Sequence, residues 1–146
     1  MKIVMMAAGA ALLATPVLAQ TPPAALQVEI PDLPTAAGDP TCGGRIGLAQ
    51  QATCVLTTQG AIGGLVDTYS EAFSRQGWLA AGGDDNLVVY VKRRPGSGCD
   101  GFQMLAFADE SRVPAPGEPA WLAFAPIPGD VCAAQPAAPA TPAPAQ

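Results

Sequence analysis

The stretch AIGGLVDTYSEAFSRQGW, residues 61–78, decides how the rest of this chain is read. Ile62, Leu65, Val66, Tyr69, Ala72 and Phe73 recur at the i, i+3, i+4, i+7 spacing of one buried helical face, which predicts a helix from about Ala61 to Gln76. Asp67, Ser70, Glu71, Ser74 and Arg75 take the opposite side. Asp67 lies toward the positive N-terminal end of the helix dipole and Arg75 toward the negative C-terminal end, with Glu71 and Arg75 as an i,i+4 pair. Gly77 suits the left-handed position after the helix, and Trp78 is then placed to pack back on Phe73.

Strands are expected on both sides of this helix. Thr53–Thr58 precedes it. Leu87–Lys92 follows a Gly-Gly-Asp-Asp-Asn turn at 82–86, and Phe102–Ala108 follows a Pro-Gly-Ser-Gly turn at 95–98. Ala120–Ala125 comes after a loop carrying Pro114, Pro116, Gly117 and Pro119. The order predicts an α+β fold: a small antiparallel sheet of three to four strands with one amphipathic helix packed on one face.

Four cysteines, Cys42, Cys54, Cys99 and Cys132, allow three disulfide pairings. If the strands at 102–108 and 120–125 form a hairpin, Cys99 and Cys132 flank its adjoining ends and come within bridging distance. Cys42 and Cys54 then pair by elimination. Two staples suit a core in which alanine stands where larger side chains might. The chain lacks histidine and any Cys-x-x-Cys pair, so neither a zinc site nor a redox-active dithiol is expected, and no cofactor or metal site is assigned.

The N-terminus reads as a signal peptide over residues 1–19: Lys2, then an apolar run from Ile3 to Leu13, then the small-residue cleavage pattern Val17-Leu18-Ala19. Residues 20–41 form a Pro-rich segment with one possible short strand at Leu26–Ile30. Residues 42–132 form the disulfide-stabilised domain, and residues 133–146 form a disordered Pro/Ala tail. A periplasmic or secreted location follows, with no transmembrane segment once the signal is removed. The net charge of −5 argues against a nucleic-acid partner.

Chemistry-bearing clusters are sparse. Gly60-Ala-Ile-Gly63-Gly64 sits where a backbone nest can hold an anion, but it lacks the lysine of a phosphate loop and reads more simply as close packing at the helix start. Asp84 and Asp85 are turn residues. Lys92-Arg93-Arg94 is the one basic cluster, suited either to an anionic partner or to guarding a strand end. No catalytic residue is assigned.

Packing demand says more. Phe102 and Met104 alternate with Leu105 and Phe107, and Leu122 and Phe124 alternate with Trp121, so both faces of the sheet are apolar although one helix covers only one of them. Either the segment around Leu26–Leu48, with Leu26, Val28, Ile30, Ile46 and Leu48, folds over the second face, or that face meets a protein partner or a second copy. The expected contact surface combines Tyr90, Arg93, Arg94, Phe107 and Trp121. The function expected is that of a small exported binding or accessory protein of the bacterial cell envelope, non-catalytic. The alternatives are a histidine-free hydrolase using acidic residues or a structural envelope protein.

Overall fold

A computed structural model describes residues 25–132. The signal-peptide reading of residues 1–19, the first part of the Pro-rich segment and the tail reading of residues 133–146 lie outside the described residues. In chain order the elements are β1 (Ala37–Gly38), α1 (Ile46–Ala49), β2 (Thr53–Thr58), α2 (Ile62–Arg75), β3 (Leu79–Asp84), β4 (Leu87–Arg93), β5 (Cys99–Ala108) and β6 (Pro119–Ile127). The strands form one antiparallel sheet in the order β1-β2-β6-β5-β4-β3.

Among the described residues, six strands and two helical segments correct the expected three to four strands with a single helix. Strand β3 occupies Leu79–Asp84, so the supposed turn at 82–86 shrinks to Asp85 and Asn86. Leu-Ala-Ala-Gly-Gly-Asp has little intrinsic strand preference, and the ladder with the β-branched β4 imposes the extended form on it. Gly83 allows the tight approach, because a Cβ there would land on the Leu87 carbonyl oxygen. No strand forms at Leu26–Ile30; that segment packs as irregular chain with Val28 buried.

β3 to β6 run as a meander that returns to pair with β2, while α2 carries the chain from β2 to the far edge. Its 14 residues span about 21 Å at 1.5 Å per residue, close to the roughly 19 Å separating β2 from β3 across four strand spacings. The helix ends on Gly77 at φ 84°, with the Trp78 N–H donating to the Phe73 carbonyl and the Gly77 N–H to that of Ser74, both at 3.0 Å.

Leu65, Tyr69 and Phe73 of α2 meet the sheet through Val55, Tyr90, Phe102, Met104, Leu122 and Phe124. Six of the eight aromatic residues lie in this core. Phe73 is at its centre, edge-on to Tyr90 at 5.3 Å, Phe102 at 5.0 Å and Phe124 at 5.7 Å. The core therefore rests on rings rather than being thinned by alanine. Leu26, Ile30, Leu33 and Ala36 seal its flank.

Candidate interaction surface

Side-chain alternation and register divide the sheet. Tyr90 stands opposite Phe102, and Met104 opposite Phe124, on the face that α2 covers. Leu105 opposite Ala123 and Phe107 opposite Trp121 belong to the second face, as do Leu87, Val89, Val91 and Arg93 by their pairing with Leu105, Gln103, Gly101 and Cys99.

The second face is half covered. Residues 39–52 form a strap over β2 and β6, stapled by the Cys42–Cys54 disulfide. Cys42, Cys54 and Ala123 are buried there, with Leu48, Ala49, Ala52, Leu105 and Phe107 packed around them. The segment around Leu26–Leu48 thus divides its work: Leu26, Val28 and Ile30 serve the helix side, Leu48 serves the second face, and Ile46 is 74% exposed.

Asp39 organises the strap. Its carboxylate accepts hydrogen bonds from the Thr41 N–H (2.8 Å), the Thr41 hydroxyl (2.7 Å), the Gly43 N–H (2.9 Å) and the Trp121 indole N–H (2.8 Å). Four donors favour the charged form, and the Thr41 hydroxyl contributes most in holding the carboxyl down to about 2. Gly43, at φ 64°, lies against the indole, where a Cβ would come within 2.9 Å of Trp121 Cε2. Arg45 stacks over Phe107 at 4.3 Å and donates to the Ala108 carbonyl at 3.3 Å.

The five residues expected to share a contact surface are not brought together. Tyr90 is 1% exposed beneath α2, stacked on Phe102 at 4.8 Å. Its hydroxyl donates to Ser70 Oγ, whose own proton goes to the Val66 carbonyl. Phe107 and Trp121 are half-buried, stacked on each other at 5.6 Å and engaged by the strap. Arg94 is held by Asp100 Oδ1 at 2.7 Å and by the carbonyls of Cys99 and Gly129, with Asp100 first in raising its already high pKa. Arg93 alone stands exposed on the second face. The basic run disperses further, since Lys92 turns back to the Gln76 carbonyl at 2.8 Å, beside Trp78.

The surface missed at the sequence level is the other half of this face. Leu87, Val89 and Val91 are half-exposed on β4, and Leu79, opposite Val91, is 66% exposed on β3. The signal was present in the apolar Leu87, Val89 and Val91 alternating with Val88 and Tyr90, the same two-faced pattern read in β5.

The remaining clusters have structural employment. Cys99 and Cys132 are bridged, so their sulfurs are unavailable as thiolate ligands beside Asp130, whose carboxylate accepts the N–H groups of both. Asp84 and Asp85 occupy the exposed β3–β4 hairpin, with Asp84 Oδ1 accepting the Asp85 N–H. Gly60 packs on the loop at Pro116 and donates to its carbonyl at 2.9 Å. A cleft of about 270 Å³ lies between Leu26, Trp78, Arg94 and Asp130. No helix among the described residues is long and apolar enough to cross a membrane. Comparison with protein-family models, with curated proteins and with solved structures finds no match to this chain.

Proposed function

We propose that the protein is an exported, non-catalytic binding or accessory protein of the bacterial cell envelope, periplasmic or secreted, that engages a protein partner through the uncovered half of its second sheet face. The observation that carries this reading is the unequal covering of one apolar face. The stapled strap closes it over β2 and β6, while Leu79, Leu87, Val89 and Val91 are left partly open over β3 and β4. Contiguous apolar side chains on adjacent strands are the usual mark of a contact surface, whereas scattered ones are ordinary. Two disulfides fit an oxidising compartment, which supports export.

Photocrosslinking in the native envelope tests the proposal. A photoreactive residue at position 91 is expected to give one discrete protein adduct, and one at Val113, 84% exposed on a loop, none. Adducts that are absent at 91, or identical from both positions, overturn it.

A further inference from the structure

The two edges of the sheet are finished differently. β1 is two residues long and lies between Pro34 and Pro40. Short edge strands and nearby prolines are devices that stop one sheet from pairing with another. β3 has neither. It is six residues long, exposed throughout, and its Leu-Ala-Ala-Gly-Gly-Asp sequence holds no proline, lysine or arginine. It pairs with β4 only, so its outer backbone groups have no neighbouring strand among the described residues.

The charges around this edge are arranged end to end. Leu79 pairs with Val91 and Asp84 with Leu87, which places both on the second face together with Arg93. Arg93 lies beyond the Leu79 end of the ladder, and Asp84 and Asp85 lie at the other end. Two copies of β3 laid antiparallel, centred between Ala81 and Gly82, set Leu79 of each against Asp84 of the other. Arg93 is then two strand spacings across and two residues along from Asp84 of the other copy, about 12 Å, a gap that the two side chains together span only when extended toward each other. Two-fold symmetry makes the contact twice.

We infer that β3 pairs antiparallel with β3 of a second copy, forming a two-fold dimer with one continuous sheet of twelve strands, six from each copy. The edge is distinct from the face assigned above to a protein partner, and the two stand or fall separately. Pairing supplies the outer N–H and C=O groups with partners and shields Leu79. It also joins the two open half-faces into one floor.

Sedimentation equilibrium and amide hydrogen exchange of the purified, oxidised protein decide the matter. A monomer–dimer equilibrium is expected below about 1 mM, the affinity range of small interfaces, with protection of the 79–84 amides that rises with protein concentration. Arg93→Asp and Asp84→Arg are each expected to weaken dimerisation about tenfold, because each removes two symmetric pairs and adds repulsion. The combined variant is expected to return to within about threefold of the original. A protein that remains monomeric throughout, a dimer whose 79–84 amides exchange freely, or a double variant as weak as its two parents combined overturns the inference. None of these outcomes bears on the crosslink from position 91 in the native envelope.

Discussion

The Asp39 carboxylate accepts a 2.8 Å hydrogen bond from the indole of Trp121, 82 residues further along the chain. This contact fastens the strap to the second face of the sheet, and the Cys42–Cys54 bridge fastens it again from β2. One end of the face is thereby closed by a charge, a ring and a disulfide, and what remains open is displaced toward β3 and β4.

Asp39 makes the strap sensitive to acid. Its carboxyl is lowered from 3.8 to about 2 in the folded protein, so folding favours the ionised form. The unfolded chain binds the extra proton first as pH falls. The stabilisation is therefore complete above about pH 4 and is lost as the pH drops toward 2. Discounted for a half-buried group, it is about 1–2 kcal/mol. Urea denaturation of wild type and Asp39→Ala should differ by that amount at pH 6 and converge near pH 2. A difference that does not change with pH would assign Asp39 a role other than its charge.

The two bridges should differ in accessibility as well as in energy. Cys42 and Cys54 are 0% and 3% exposed, whereas Cys132 is half-exposed beside the buried Cys99. A thiolate reagent must reach a sulfur to attack it. Under native conditions a dithiol is expected to open Cys99–Cys132 first, read by differential alkylation and peptide mapping. Loop closure alone assigns about 4 kcal/mol to that bridge and about 3 kcal/mol to Cys42–Cys54. The shorter bridge is also packed into the strap, so its removal should cost more than its loop entropy. Full reduction should lower the melting temperature; an unchanged value would show that neither bridge matters to stability.

The spacing from Ile62 to Phe73 marks the face of α2 that is buried, and a hairpin of 102–108 with 120–125 brings Cys99 to Cys132 and leaves Cys42 for Cys54, as the bridges are. β3 was hidden because Leu-Ala-Ala-Gly-Gly-Asp states no strand preference and is held extended by its neighbour. Sequence groups Tyr90 with Phe107 and Trp121 because a face can be read within one strand, whereas the relation between strands needs the register. Pairing Tyr90 with Phe102 settles it against that grouping. The role of Asp39 was partly written in Asp39-Pro40-Thr41, an Asx-turn pattern, but its long-range acceptance from Trp121 depends on the fold.

The two packed faces should respond unequally to truncation. Phe73 is 0% exposed and touches the rings of Tyr69, Tyr90, Phe102 and Phe124. Phe73→Ala is expected to cost about 3–5 kcal/mol, a large share of a typical net stability of about 5–15 kcal/mol. Phe107 is half-buried between Trp121 and Arg45, so Phe107→Ala should cost about 1–2 kcal/mol by partial area loss. Equal losses in chemical denaturation would mean that the second face contributes as much as the core beneath α2.

Adjacent glycines in β3 provide the sharpest local test. A methyl at Gly83 would collide with the Leu87 carbonyl, whereas one at Gly82 would meet nothing within 4 Å. Gly83→Ala must therefore move backbone, at a cost of about 1–3 kcal/mol. Gly82→Ala restricts the unfolded chain and is expected to be neutral or stabilising by about 0.4–1 kcal/mol. The damage should stay local, since β3 is the last strand of the sheet and contributes no side chain to the aromatic cluster. Hydrogen exchange should accelerate across 79–84 in Gly83→Ala while the amides of β5 and β6 keep their protection. Equal destabilisation by both substitutions would show that the close approach of Gly83 to Leu87 is not what holds the hairpin.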